Sequence, residues 1–198
     1  MPGRTLLVTN DFPPRRGGIE TFCHELAVRL ARHGGVVVYT SATPGGRDFD
    51  AGLDFPVVRD RSGVLLPTPR VAARAAALLR EHSCDRVLFG AAAPLGLAAR
   101  RLRAAGARRI VALTHGHEVW WALLPGSRAL LRRIGRGVDV LTYLGGFTRA
   151  QVARALDPRD LGKLVRLAPG VDPDVFHPDV DGSAVRDRYG LGEAPVVL

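Results

Sequence analysis

Near the N-terminus, the run Val8-Thr9-Asn10-Asp11-Phe12-Pro13-Pro14-Arg15-Arg16-Gly17-Gly18-Ile19-Glu20-Thr21-Phe22 has the residue types and spacing of an anion-binding turn. The apolar run 5–9 reads as a buried strand. Two prolines then forbid helix, and a helical pattern begins directly at the glycine pair. Glycine lets a ligand approach the backbone with no Cβ in the way. The first N–H groups of the helix then point at the anion, and the helix dipole adds up to about 2 kcal/mol. Gly17 and Gly18 are therefore candidate phosphate contacts; the plainer alternative is an ordinary strand-to-helix turn. The pattern is neither Gly-x-Gly-x-x-Gly nor a loop ending in Gly-Lys-Ser/Thr, which counts against a dinucleotide fold signature and an ATPase loop.

A second cluster closes a later strand-like run: Ala112-Leu113-Thr114-His115-Gly116-His117-Glu118. His-x-His on a strand puts both rings on one face, a spacing that suggests metal, yet a catalytic zinc needs three protein ligands. Glu118 can bind hydroxyls or cap the helix that follows. Asn10 and Asp11 can satisfy turn N–H groups or contact a polyhydroxylated ligand, and Tyr143 sits at another strand end. Leu65 and Leu66, followed by a helix bearing Arg70, Arg74 and Arg80, read either as a packed loop with a solvated face or as a membrane-contacting edge.

Seven strand-like runs position these groups: 5–9, 36–41, 57–58, 86–89, 109–114, 138–143 and 164–167. Helical patterns lie between them at 18–33, 69–82, 94–105, 126–135 and 147–156. The strands are almost continuously apolar, as expected where both faces of a parallel sheet are covered. The expected fold is α/β, a doubly wound, mainly parallel, Rossmann-like sheet with ligands at the C-terminal strand ends.

The hydrophobic fraction of 46% and the charged fraction of 24% are those of a soluble globular domain. No apolar run approaches the roughly 18–20 residues that span a bilayer, and the N-terminus does not resemble a signal peptide, so the expected compartment is the cytoplasm. Cys23 and Cys84 read as reduced, buried thiols. The formal charge of +9 comes from 27 arginines and Lys163, and residues 86–136 hold ten arginines against one acid, Glu118. Such a face favours polyanions or an anionic membrane. Nucleic acid is the weakest of these partners, because helix-turn-helix spacing, zinc-finger ligands and an aromatic stacking strip are all missing.

Three motifs then carry a family. Asn-Asp-Phe-Pro-Pro-x-x-Gly-Gly-Ile-Glu at 10–20, Thr-His-Gly-His-Glu at 114–118 and Gly-Val-Asp-x-x-x-Phe-x-Pro at 170–178 resemble a family 4 retaining glycosyltransferase of GT-B fold. The subgroup most similar is the actinobacterial mannosyltransferases that use GDP-mannose to extend phosphatidylinositol monomannoside. Softer segments at 65–69, 89–95 and 124–128 point the same way.

The resemblance implies residues 1–168 as an acceptor-binding domain and 169–198 as an interdomain hinge with the start of a donor-binding domain. That makes the chain the N-terminal half of a mannosyltransferase, expected to be inactive alone because a C-terminal donor domain is missing. It further implies GDP-mannose as co-substrate with no cofactor or metal, and a phosphatidylinositol mannoside acceptor. Gly17 and Gly18 would meet the donor phosphates and His115 would be the candidate catalytic group beside the transferred sugar. Asn10, Asp11, His117, Glu118 and Tyr143 would serve sugar or acceptor. A lipid acceptor favours peripheral contact with the inner face of the plasma membrane, through Leu65, Leu66, Arg70 and Arg74. Three alternatives stand beside this reading: a family 4 transferase with another donor or acceptor, a stand-alone binding module, and a dinucleotide-dependent oxidoreductase. The last is disfavoured by the missing glycine signature and by the lack of an acid ending the run 36–41.

Overall fold

The computed structural model describes residues 3–196, and its contacts divide the chain into two units, residues 1–168 and 169–198. The first unit is built on seven parallel strands: β1 Arg4–Thr9, β2 Val36–Thr40, β3 Val57–Arg59, β4 Cys84–Phe89, β5 Arg109–Ala112, β6 Val140–Tyr143 and β7 Leu164–Arg166. Their order is β3-β2-β1-β4-β5-β6-β7. The chain winds outward from β1 to β3, then returns to the other side of β1 at β4. The winding direction thus reverses between β1 and β4, the place where open α/β sheets bind ligands.

The helices are α1 Gly18–His33, α2 Gly46–Asp50, α3 Pro69–Glu81, α4 Ala99–Ala104, α5 Glu118–Leu123, α6 Pro125–Gly137, α7 Gly146–Ala155 and, in the second unit, α8 Ser183–Tyr189. On one sheet face Leu6, Val8, Val87, Phe89, Ile110 and Leu141 pack against α3, α4, α6 and α7. On the other, Leu7, Val36, Val38 and Leu88 meet Cys23 and Ala27 of α1. Helix α3 starts where the Thr68 hydroxyl accepts the Val71 N–H and Pro69 fills the first turn.

Several local expectations change. Strand β5 ends at Ala112 rather than Thr114 because hydroxyls take over the ladder: Thr114 N–H donates to Thr142 Oγ1 (3.2 Å), and Thr114 Oγ1 donates to the Thr142 carbonyl (2.7 Å). Residues 115–117 thus lie in a loop, not on a strand. The helix read over 94–105 begins as a 3-10 turn, Leu95–Ala98, before α4. Leu65 is fully buried, which removes it from any membrane-facing edge, whereas Val64 and Leu66 on either side are exposed. In the second unit residues 171–182 form turns, with the Asp172 carboxylate accepting the Asp174 N–H, and α8 follows. The apolar run 194–198 also reads as the start of a strand, but residues 194–196 form none, and Val197 and Leu198 lie outside the described residues.

Candidate functional site

The glycine turn, Asp11 and the histidine loop meet where β1 and β4 end. Phe22, on the first turns of α1, packs its ring against His115 edge to face, with 5.7 Å between centroids. The Asp11 carboxyl is held above its usual range, first by burial and then by the Glu20 charge, with opposing attraction from His115, His117 and Arg15. Glu20 in turn lies against Gly17, where an added Cβ would come 2.2 Å from its Oε2. Gly17, Glu20, Asp11, His115 and His117 thus share one rim.

Gly17 caps α1 with φ 173°, extended backbone that any residue adopts, so no conformational demand requires glycine there. What the pair supplies is access. Both glycines are exposed, and a Cβ on Gly18 would meet nothing within 4 Å. The Glu20 carboxylate sits at the positive end of the helix, so a bound phosphate must move it aside.

His115 is anchored twice. Its Nε2 lies 2.6 Å from the Gly90 carbonyl; because a carbonyl only accepts, Nε2 carries the proton and Nδ1 is left for a ligand. Its backbone N–H donates to Glu118 Oε2 at 3.0 Å. The His117 ring stacks on it at 6.4 Å and 20°, an arrangement made by the turn at Gly116 (φ 101°) rather than by strand alternation. Glu118 has no exposed surface, so it closes the histidine loop and does not present a carboxylate to an acceptor. Its Oε1 lies 3.2 Å from His117 Nε2, without the alignment of a hydrogen bond. Among the described residues no three of His, Cys, Asp and Glu come together as a metal site.

Asn10 is also committed internally. Its Oδ1 accepts the Leu65 N–H (2.6 Å) and its Nδ2 donates to the Leu65 carbonyl (3.0 Å), pinning the loop after β3 to the end of β1. Asn10→Ala should therefore cost about 1–3 kcal/mol, the penalty for stranding part-buried backbone groups, seen as a lower urea midpoint. Asp11 makes no side-chain hydrogen bond among the described residues, nor do Glu20 and His117 on the same rim. Tyr143 ends β6, and no hydrogen bond or ring contact joins it to this cluster.

Arg70 and Arg74 are already paired. Arg70 grips Asp60 with two bonds of 2.8 and 2.9 Å, and Arg74 reaches Glu81 at 3.0 Å. The Arg70 guanidinium holds the Asp60 carboxyl well below the usual carboxylate range. Burial, with Asp60 accepting the hydroxyl proton, pushes the Tyr39 phenol up. These groups line a cavity of about 600 Å³ between β3 and α3. Gly90 is the site residue the sequence did not disclose. Its signal was position: it follows β4 at the point where the winding reverses.

Residues 16–175 match Glycosyltransferase Family 4. The GDP-mannose-dependent alpha-(1-6)-phosphatidylinositol monomannoside mannosyltransferase of Mycolicibacterium smegmatis is 48% identical over 197 residues, 98% of this chain and 51% of that protein. The GDP-mannose-dependent monoacylated alpha-(1-6)-phosphatidylinositol monomannoside mannosyltransferase of Corynebacterium glutamicum is 41% identical over 199 residues, 98% of this chain and 51% of that protein. The chain thus spans about half the length of the curated relatives it matches. In fold it is similar to a glycosyltransferase from Rickettsia africae, with a TM-score of 0.72 at 16% identity over 97% of this chain and 51% of that one. It also resembles Anabaena Alr3699/HepE in complex with UDP and glucose, with a TM-score of 0.69 at 13% identity over 95% and 50%. With a family match across most of its length and a parallel sheet shared with solved glycosyltransferases, the chain belongs to glycosyltransferase family 4.

Proposed function

We propose that this chain is the acceptor-side half of a retaining mannosyltransferase that moves mannose from GDP-mannose to a phosphatidylinositol mannoside. The observation carrying this reading is the 48% identity, sustained over 98% of the chain, to a relative of that name. The rim geometry fits the chemistry. As the glycosidic bond to the donor breaks, positive charge grows on the anomeric carbon and negative charge on the leaving diphosphate. Once the Glu20 carboxylate moves aside, the exposed amides at Gly17–Gly18 face the diphosphate, supported by the α1 dipole. His115, its Nε2 tied to Gly90, offers Nδ1 and its backbone carbonyl to the sugar. Asp11 receives an acceptor hydroxyl.

In this reading residues 1–168 bind the acceptor, and a donor domain closes over them to exclude water. No metal takes part, and the protein works in the cytoplasm against the inner face of the membrane that holds its lipid acceptor. Among the described residues no helix is long and apolar enough to cross a membrane. The test supplies GDP-mannose or UDP-glucose, with phosphatidylinositol monomannoside in vesicles and EDTA present, to the complete enzyme and to residues 1–198. Mannose transfer by the complete enzyme from GDP-mannose, and none by residues 1–198, is the expected result. A complete enzyme that transfers no mannose to any glycolipid overturns the assignment; transfer from UDP-glucose instead redirects it to another donor.

A further inference from the structure

The loop around Leu66 offers a bilayer little: its central leucine is buried, and Arg70 and Arg74 beside it are already paired with Asp60 and Glu81. A different surface has the opposite properties. On α5, Trp120 is 72% exposed, Leu123 56% and the following Leu124 66%. The inward face of this helix is already covered, with Glu118 and Ala122 buried and Trp121 packed beside Leu131 and Ala155. A short helix whose outward face is apolar, although its inward face is already covered, has no reason to be so in water alone. Isolated exposed leucines need no explanation, but a tryptophan and two leucines within five residues form a patch.

The charge beside that patch is unbalanced. Arg128 and Arg133 on α6 are exposed and have no carboxylate partner among the described residues; Arg128 spends one bond on the Arg154 carbonyl. Arg132, Arg136 and Arg159 all converge on one acid, Asp157. A groove of about 340 Å³ joins the two chemistries, lined by Leu123, Pro125, Arg128, Ala129 and Arg132. Leucine and guanidinium side by side match the boundary between acyl chains and phosphates. Tryptophan is the side chain best suited to that depth, and each arginine near an anionic surface adds about 1 kcal/mol.

We propose that this α5–α6 surface docks on an anionic lipid bilayer, seating Trp120, Leu123 and Leu124 at the acyl boundary and Arg128, Arg132 and Arg133 against lipid phosphates. The proposal rests on the reading that the acceptor is a membrane lipid, and adds which face meets it.

The chain itself supplies the probe, because its two tryptophans are Trp120 and Trp121. Trp121→Phe leaves Trp120 as the sole indole; should that variant fail to fold, the unsubstituted chain reports the same change, since Trp121 is partly buried. Vesicles of phosphatidylglycerol and phosphatidylcholine at low salt should shift Trp120 emission to the blue, and brominated acyl chains should quench it. Pure phosphatidylcholine should do neither. Arg128→Gln with Arg133→Gln should weaken partitioning about 30-fold, two charges at about 1 kcal/mol each. Trp120→Ser with Leu124→Ser should abolish flotation, whereas Leu66→Ser should not. If the chain floats with Trp120 unquenched and Leu66→Ser releases it, this surface is wrong while membrane contact stands. If no anionic vesicle binds the chain, both ideas fall. A blue shift that follows protein concentration without vesicles makes the patch a protein-facing surface and overturns the proposal.

Discussion

His115→Ala, made in the complete enzyme, should lower kcat by about 100- to 1,000-fold, the loss typical of removing one group that meets developing charge. KM for the donor should change far less, because the interaction strengthens only as the glycosidic bond breaks. The substitution also removes structure: the ring packs on Phe22, and its Nε2–H satisfies the Gly90 carbonyl. A stability control is therefore part of the prediction. His115→Gln can still donate an amide N–H toward Gly90 but offers no imidazole nitrogen to the sugar. It should melt within a few degrees of the parent and remain as inactive as the alanine variant. His117→Ala should be milder, because that ring is 42% exposed and makes no hydrogen bond among the described residues, only a stack on His115 and an unaligned approach to Glu118. If His115→Gln retained full turnover, the imidazole would be a scaffold for the loop, and catalysis would have to come from the backbone carbonyl beside it.

Helix α1 shows what the sequence does disclose. Pro13-Pro14 before it, the Gly17-Gly18 pair at its start and Gly34-Gly35 after it are local signals, and both helix ends fall where those residues put them. The strands were legible for the same reason, since an apolar run buried on both faces needs no knowledge of its neighbours. Leu65 was misread because the answer lay 55 residues away: the Asn10 side chain clasps the Leu65 backbone and helps to hold the middle of Val64-Leu65-Leu66 inward. The burial of Glu118 follows from a loop whose path depends on Thr142 hydroxyl bonding, again a contact between distant strands. The histidines were found by type and spacing, but the atom of His115 left free for chemistry was decided by the Gly90 carbonyl. Local periodicity cannot report which carbonyl that will be.

Gly90→Ala should be the most damaging single-atom addition at the rim, lowering stability by about 1–3 kcal/mol and activity by more than that loss explains. A Cβ on Gly90 would stand 2.4 Å from Thr9 Oγ1, 2.6 Å from Thr9 Cβ and 2.9 Å from Cys23 Sγ. None of these can swing away, because Thr9 and Cys23 are fully buried. Nor can Gly90 retreat freely: its N–H donates to the Val8 carbonyl at 2.9 Å and its own carbonyl accepts from His115. The strain must pass into the site. Thr9 Oγ1 accepts the Asp11 N–H at 2.9 Å, so moving Thr9 displaces Asp11, while moving Gly90 displaces His115. For a chain of this size the stability loss corresponds to a fall in Tm of about 2–4 °C per kcal/mol. Gly18→Ala is the matched control. It adds the same methyl group where no atom lies within 4 Å, so melting should be unchanged and any loss should appear in donor use alone. A Gly90→Ala protein that melted and turned over like the parent would mean that β1 and β4 can part at their ends without cost, and that the rim is not held as tightly as these contacts require.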